Sequence, residues 1–362
     1  YLTSIGVFMK LENLYKRTKT GAVQVCNISV TGSVFTVEFG QLDGKMQERP
    51  TECFPVNVGK SNETTAEQQA INEANSKWAE KVKAGYSTDV EAPVTVRLPQ
   101  TVKKYLDNKD KIIYPCFSVV KLNGINGTYW LMPDNSLKLT SRGGNDYPPI
   151  PHLENKVRAH MALANTTSLN AELYIHGVFL EDINGAVKKT KALSSRLTLN
   201  TFELPLVEGT YESKVEILRQ MCGEAIITEV YSEEEADALH ADAIANGYEG
   251  TVLYNKDAVY AFNERSSSVY KYKIPVDAEF KVTGFSIDKN KHAVYICESK
   301  GGDFKAKRTG TNEERLADAA IAESNIGKWL NVEFEMYSKR GKPLKPVGQH
   351  FRLCDADGNP LE

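Results

Sequence analysis

The chain has 362 residues, 41% of them hydrophobic and 25% charged, with 44 basic against 47 acidic side chains for a formal net charge of −3. That length leaves room for two or three domains with real cores, and the near-balanced charge excludes a histone-like polycation. The six cysteines (26, 53, 116, 222, 297 and 354) form no Cys-x-x-Cys pair and no apolar run is long enough to span a bilayer, which argues against a zinc ribbon, a disulfide scaffold or membrane helices. Free, mostly buried thiols in a reducing, cytoplasmic setting are expected, in a monomer without membrane contact. Any nucleic-acid partner would be held by local basic patches, and its binding would depend on salt.

Residues 1–90 read as a small α+β unit. Ala22-Val23-Gln24-Val25 and Val34-Phe35-Thr36-Val37-Glu38-Phe39 alternate as antiparallel strands do, and Gly40-Gln41-Leu42-Asp43-Gly44 breaks them with a turn. Thr64 with Glu67 has the spacing of a capping box, and Ile71, Ala74, Trp78 and Val82 form a helical stripe that Gly85 ends. Ser87, Thr88 and Pro93 suggest a linker over 87–97. From Leu98 to Tyr114 a polar, lysine-rich segment reads as helical and leads to Pro115.

The chemistry gathers further on. In Ser118-Val119-Val120-Lys121-Leu122-Asn123-Gly124 a β-branched run ends in a lysine and a glycine turn, which puts an amine at a strand end where a backbone can approach a ligand. Ser141-Arg142-Gly143-Gly144 follows a strand, and Pro151-His152-Leu153 opens a helix. Glu172 lies in the strand Leu169–Tyr174, and Phe202-Glu203 ends another. A helix near 212–222 and a Ser232/Glu235-capped helix precede Gly247-Tyr248-Glu249-Gly250, a glycine-flanked glutamate entering a strand. Lys271 and Lys273 share one face of the strand Val269–Lys273. Paired cations suit a polyphosphate, and nearby carboxylates suit Mg²⁺ and ribose hydroxyls. A lysine attacks phosphorus only as the neutral amine, a form that neighbouring cations favour. Nothing in such chemistry needs His152 or His176 as a base.

The order of these segments resembles the covalent nucleotidyltransferase superfamily, and most closely the ATP-dependent DNA ligases of phage type. Lys121-Leu122-Asn123-Gly124 is similar to motif I of that group, Ser141-Arg142-Gly143-Gly144 to motif Ia and Ala171-Glu172-Leu173 to motif III. Phe202 stands at the aromatic of motif IIIa, Glu249-Gly250 at motif IV and Lys271-Tyr272-Lys273 at motif V. Pro151-His152-Leu153 and Asp277-Ala278-Glu279-Phe280 match the flanks. The resemblance implies an α+β protein: a nucleotidyltransferase domain of antiparallel, ATP-grasp-like sheets at 91–275 and an OB-fold β-barrel at 276–362.

It also implies ATP as AMP donor, Mg²⁺, and nicked double-stranded DNA as partner. Lys121 would attack the α-phosphate to form lysyl-AMP. AMP would pass to the 5′-phosphate of a nick, and the 3′-hydroxyl would displace it. By the same resemblance Glu172 would hold the ribose, Phe202 would stack on adenine, Glu249 would position metal, Lys271 and Lys273 would grip the α-phosphate, and Arg142 would contact the nick. Ahead of this, Phe39-Gly40-Gln41 and the helix ending Lys81-Val82-Lys83-Ala84-Gly85-Tyr86 resemble a WGR-type domain over 1–90, with Phe and Gln in place of Trp and Arg. That implies a nucleic-acid-docking accessory, beside a purely structural or protein-binding role.

Two positions depart from the ligase pattern Lys-x-Asp-Gly-x-Arg: Asn123 replaces the aspartate and Asn126 the arginine. Asn123 keeps the shape and loses the charge; Asn126 removes a cationic fork. Lysyl-AMP formation should survive both changes more readily than sealing, so an RNA ligase of the same superfamily and a nick-binding relative impaired in sealing stay beside the main reading. In the last segment a helix near 312–324 is expected, with Asn312 as cap and Leu316, Ala320 and Ile321 inward. Two basic clusters, Lys300/Lys305/Lys307/Arg308 and Lys339/Arg340/Lys342/Lys345, are candidates for phosphate contacts, the second as the DNA-binding set.

Overall fold

Alternating apolar side chains organise the first of two compact units, Tyr1–Gln100 with the short segments Thr140–Asn145 and Phe262–Glu264. The structure is a computed structural model that describes residues 8–18, 21–91, 97–288 and 290–361, so Pro93 of the expected linker lies outside the described residues. Strands β1 (Phe8–Lys10), β2 (Leu14–Arg17), β3 (Val23–Thr31), β4 (Val34–Gln41) and β5 (Met46–Glu52) form one antiparallel sheet in the order β1-β3-β4-β5, with β2 also on β3. Cys26, Ile28 and Val30 alternate along β3 into the core, where they meet Ala70 and Ala74 of helix α1 (Ala66–Lys83). Burying Ile28 or Val30 contributes about 1.5–3 kcal/mol each.

The start of α1 differs by one residue from the sequence reading. The cap is Thr65, which accepts from the Gln68 amide at 3.2 Å. Thr64 is unavailable because its backbone pairs with Val56 through bonds of 3.0 and 3.2 Å, and its hydroxyl donates to Gln69. At the other end Gly85 (φ +94°) closes the helix. Its amide reaches the Val82 carbonyl and the Tyr86 amide reaches Lys81, the paired bonds of a Schellman cap. Ser87, read as linker, is instead tied to β2, exchanging backbone bonds of 2.7 and 2.8 Å with Tyr15.

The second unit holds two five-stranded sheets and a barrel. The first sheet runs β10-β9-β8-β11-β12, from β8 (Ile125–Leu131), β9 (Leu137–Ser141), β10 (Asp146–Tyr147), β11 (Ser168–Tyr174) and β12 (Thr198–Glu203). The second runs β13-β7-β14-β15-β6, from β6 (Thr101–Lys104), β7 (Cys116–Lys121), β13 (Ile227–Val230), β14 (Gly250–Asn255) and β15 (Arg265–Tyr272). Helices α2 (Pro151–Leu163), α3 (Leu180–Lys188), α4 (Tyr211–Arg219) and α5 (Glu233–Ala245) connect them. One apolar cluster, including Phe117 and Val119 from the second sheet and Leu169, Ala171, Leu173 and Leu199 from the first, joins the two.

Strand β6 corrects the expected helix over 98–114. Lys103 and Lys104 lie beside Tyr270 and Lys271 in a parallel pairing, the Tyr105 amide donates to the Lys271 carbonyl at 2.9 Å, and Tyr105 is buried. Only a single 3₁₀ turn, Lys109–Lys111, is helical there. Sheet-edge pairing and burial of one tyrosine override a helix propensity carried by solvated lysines.

The barrel closes in the order β16-β17-β18-β20-β19, from β16 (Val276–Ile287), β17 (Ala293–Cys297), β18 (Phe304–Arg308), β19 (Trp329–Phe334) and β20 (Val347–Arg352). Phe280, Val282, Tyr295, Cys297, Leu330, Val332 and Phe334 fill it, as a five-stranded OB-like barrel requires. Helix α6 (Asn312–Ala320) is capped by Thr311, not Asn312, in a full box with Glu314. Its inward residue is Asp318, drawn in by Arg308 at 2.6 Å. Leu316, Ala320 and Ile321 are exposed, so the ion pair rather than the apolar stripe sets the face.

Among the described residues no helix is long and apolar enough to cross a membrane. Five of the six thiols are buried and all are free.

Burial also sets an acid sensitivity. His160 on α2 is 7% exposed and hydrogen-bonds the Thr201 hydroxyl at 3.0 Å. Burial, helped by Lys156, pushes its imidazole down to about 4. The folded state therefore keeps the ring neutral where an unfolded chain, with an ordinary value of about 6.5, takes up a proton. Stability should be complete above about pH 6.5 and fall by up to roughly 3 kcal/mol as the pH drops toward 4. Urea unfolding at pH 7 and at pH 4.5 should show this fall for the native chain and a shallower one for His160→Gln.

Candidate active site

Lys121 is the last residue of β7, opposite Gly250 at the start of β14. The residue before that glycine, Glu249, is pinned through its backbone, its amide donating to the Lys121 carbonyl at 3.0 Å. Its carboxylate then lies between two ammonium groups. One oxygen accepts from Lys121 and the other from Lys273 at 3.1 Å. All three side chains are largely enclosed, at 24%, 16% and 18% exposure for Lys121, Glu249 and Lys273. Burial alone would raise the Glu249 carboxyl; the Lys121 and Lys273 charges outweigh it and hold the group below the ordinary carboxylate range. Lys273 is raised for the complementary reason, burial being outweighed by Glu249 and Glu335.

Local sequence explains how Glu249 arrives there. Helix α5 starts on Ser232, whose hydroxyl accepts from the Glu235 amide, while the Glu235 carboxylate caps the Tyr231 amide one residue early. The helix stops at Gly247 (φ +81°), with the Gly247 and Tyr248 amides on the Ile244 and Ala243 carbonyls. Gly250 must also be glycine. At φ +138°, a Cβ would run into the Tyr272 carbonyl and come within 2.8 Å of the His240 ring, so the two glycines bend the chain around Glu249.

The first sheet supplies the facing residues. Glu172 on β11 stands opposite Asn126 on β8. Gly124 packs its backbone on this strand, where a Cβ would fall 2.5 Å from the Leu173 carbonyl and 2.9 Å from Glu172 Cγ. The turn after Lys121 and the Glu172 side chain are thus in one place. Phe202 falls at a register shift, since Glu203 pairs with Asn170 while Thr201 pairs with Ala171. An extra residue of this kind re-aims a side chain out of the ladder. Beside it, Glu203 and Lys214 form a buried pair at 2.7 Å, with 6% and 1% exposure, and Glu203 also accepts from the Leu204 amide.

Lys271 pairs across β14 with Val252, and its ammonium is pushed down by burial and then by Lys273 and Lys121. The two departures from the ligase pattern have definite partners. Asn123 donates to the Met336 sulfur at 3.2 Å. Asn126 is buried and donates to the Asn170 side chain at 3.0 Å. Arg142 belongs to the first compact unit. It sits exposed in a loop where Ser141 and Asn145 exchange bonds and Gly144 takes φ +76°. In the barrel Lys339 is paired with Asp182 at 3.0 Å and Lys345 with Glu335 at 2.8 Å, while Arg340 is exposed and Lys342 half-buried. Of the other basic cluster, Lys307 pairs with Asp288 and Arg308 with Asp318.

Two features escaped the sequence reading. Glu335, just past β19, bonds Lys273 at 3.1 Å and brings a second carboxylate to the cleft; it lies 62 residues beyond Lys273 in no recognisable motif. A group of exposed His176, buried Tyr174, Tyr248 and Glu224 includes the residue before Glu249, with His176 bonding the Tyr174 hydroxyl at 2.9 Å. Its sequence signals were the position of Tyr248 beside Glu249 and His176, which the sequence reading sets aside.

The arrangement can bind a polyanion on Lys271 and Lys273, present an amine from Lys121, and offer carboxylates to hydroxyls or a cation. Among the described residues no three His, Cys, Asp or Glu side chains form a metal cage. Mg²⁺ commonly uses one or two carboxylates with substrate phosphates, a need that Glu249 fits.

The buried pair carries a stability prediction. Lys214→Met leaves the Glu203 carboxylate enclosed with its ammonium partner gone, at a cost of roughly 3–5 kcal/mol. Urea unfolding should show that loss, whereas Lys77→Met, at the exposed pair on Glu80, should leave the transition nearly unmoved.

No family model matches the chain. In sequence it is similar to the DNA ligase of African swine fever virus (Warthog isolate, Namibia), 26% identical over 355 residues that cover 88% of this chain and 82% of that protein. It is also similar to the DNA ligase of enterobacteria phage T4, 25% identical over 219 residues, 52% of this chain and 45% of that one. In structure it resembles a Lig E DNA ligase solved in a study of DNA binding with a minimal scaffold. That likeness has a TM-score of 0.56 at 21% identity and covers 70% of this chain and 99% of that one. A second likeness, to the structure called Pmar-Lig_Pre, has a TM-score of 0.61 at 14% identity and covers 78% and 71%. The two-sheet unit with its C-terminal barrel is the nucleotidyltransferase–OB fold of these enzymes. In sequence the chain is similar to these viral and phage DNA ligases, and in fold it resembles the Lig E enzyme.

Proposed function

We propose that this chain seals nicks in duplex DNA, joining a 3′-hydroxyl to a 5′-phosphate at the expense of ATP. The observation that carries the reading is the Lys121–Glu249–Lys273 arrangement, an enclosed amine at a strand end with a carboxylate and further ammonium groups beside it. In the first step the neutral Lys121 amine attacks the α-phosphorus. A P–N bond forms, the α–β P–O bond breaks, and pyrophosphate leaves. The 5′-phosphate of the nick then takes the AMP from Lys121, and the 3′-hydroxyl attacks that phosphorus with loss of AMP.

Each residue has a physical task in this scheme. Lys271 and Lys273 stabilise charge that spreads over the phosphoryl oxygens. Glu172 accepts hydrogen bonds from the ribose, and Phe202, re-aimed by the register shift, stacks on adenine. Glu249 orients Lys121 and would hold Mg²⁺, which when bound supplies charge neutralisation on the phosphates. Arg142 takes the 5′-phosphate of the nick, and Lys339, Arg340, Lys342 and Lys345 take backbone phosphates. The corresponding division is an accessory module at 1–90, an adenylyltransferase module at 91–275 and a barrel at 276–362.

The accessory module has a feature that suits a phosphate backbone. Arg49 and Lys81 lie on the Phe39 ring at 4.9 and 5.8 Å, and Lys81 and Lys16 on Tyr86 at 5.1 and 5.8 Å. Cations held on rings keep a fixed spacing without losing their charge. Asn123, a neutral amide bonded to Met336, favours a second reading in which AMP transfer outruns sealing.

Labelled ATP with Mg²⁺ should mark the native protein covalently and leave Lys121→Ala unmarked; an unmarked native protein would sink the adenylylation reading. A chase with nicked DNA should give sealed product. Sealing confined to nicked RNA would instead identify an RNA ligase, and accumulated DNA-adenylate would identify impaired sealing.

For the barrel, Arg340→Ala with Lys342→Ala should reduce the slope of log affinity for nicked DNA against log salt by about 2, at about 0.9 per lost phosphate contact. Lysyl-AMP formation without DNA should be unchanged. An unaltered slope would remove these two side chains from the DNA contact.

A further inference from the structure

The stretch that follows β19 folds back onto the catalytic cleft. The Glu335 carboxylate is shared between Lys273 at 3.1 Å and Lys345 at 2.8 Å. Its neighbour Met336 receives the Asn123 amide at 3.2 Å. Lys339 then bonds Asp182 on α3 at 3.0 Å through its ammonium, and Glu181 at 3.3 Å through its backbone amide. Burial would raise the Glu335 carboxyl, but its bonds to Lys345 and Lys273 outweigh that and hold it below the ordinary range, so the group is an anion at neutral pH.

Lys273 therefore spends two donors on carboxylates, Glu249 and Glu335, each at 3.1 Å. A carboxylate oxygen on an ammonium group makes the same charge-assisted bond that a phosphate oxygen makes. Glu249 belongs to the cleft's own strand ends. Glu335 arrives from the barrel, on the one segment that also grips Asn123 and α3.

We propose that Glu335 is an internal competitor for the phosphate of the incoming nucleotide. It holds Lys273 when no nucleotide is bound, and a phosphate that takes Lys273 releases Glu335 together with the 335–345 segment. This rests on the reading of the cleft as an adenylylation site. Coupling of this kind is reciprocal: whatever draws the segment away from the cleft strengthens nucleotide binding by the same factor. Lys345 works against the competition, because it draws the same carboxylate toward the barrel. Its removal leaves Glu335 with Lys273 as its remaining ammonium partner.

Two substitutions with opposite signs test this in the full chain. Glu335→Gln should lower the KM for ATP in lysyl-AMP formation roughly fivefold with kcat unchanged, and Lys345→Met should raise that KM. A general structural role for Glu335 would lower kcat or raise KM, and either result overturns the proposal, as does an unchanged KM. A second measurement does not need the chemistry. ATP binding is measured by calorimetry for Lys121→Ala and for Lys121→Ala combined with Glu335→Gln. Tighter binding in the double variant supports the competitor, while equal, weaker or undetectable binding in the double variant overturns it. If the native chain forms no lysyl-AMP, the adenylylation reading falls and the calorimetric comparison still decides the role of Glu335.

Discussion

The enclosure of the Glu249 carboxylate between Lys121 and Lys273 is the constraint on which the cleft depends. Three lysines, 121, 271 and 273, converge on the ends of neighbouring strands. At an effective dielectric of about 20, two like charges 4 Å apart repel by about 4 kcal/mol. One carboxylate bonded to two of the ammonium groups makes such a gathering tolerable and leaves an anion-seeking site. It also fixes the direction of the Lys121 amine, because that side chain is hydrogen-bonded to Glu249. The backbone bond from Glu249 to the Lys121 carbonyl makes the same link independently of charge.

The surrounding framework is polar in places where a core is normally apolar. Glu203 and Lys214 are buried together beside Phe202, Asn126 bonds Asn170 inside the first sheet, and His160 is neutral against Thr201. Buried polar groups bonded to one another leave few alternative arrangements. The barrel is joined to this framework by Glu335, Met336 and Lys339, so its attachment depends on charges that a polyanionic ligand also seeks.

Much of the candidate cleft was legible because strand chemistry is local. A β-branched run ending in lysine, a glycine on each side of a glutamate, and lysines two apart have fixed geometric meaning before any tertiary contact forms. Lys121, Glu249, Lys271 and Lys273 meet as that pattern implies, and Glu172 lies against the turn after Lys121. The failures share a cause. The lysine-rich stretch over 98–114 is partly a strand because β15 offers it an edge, Thr65 replaces Thr64 as cap because Val56 claims the Thr64 backbone, and α6 turns Asp318 inward because Arg308 is there to meet it. Each was decided by a partner distant in the chain.

By itself, the sequence determined the amine at the β7 end and the free thiols, since turn residues and cysteine spacing act over a few residues, while the two-sheet and barrel architecture was implied by the family resemblance of its ordered motifs. Only the tertiary structure decided what those groups touch. It gave Glu249 two lysine partners, set Phe202 at a register shift, and brought Glu335 across 62 residues to the same ammonium that a phosphate would need. Hydrogen bonds and ion pairs act over a few ångströms in space, whatever the separation along the chain. The lysine at the end of β7 is therefore readable from its neighbours in sequence, and the Glu335–Lys273 pair only from neighbours in the fold.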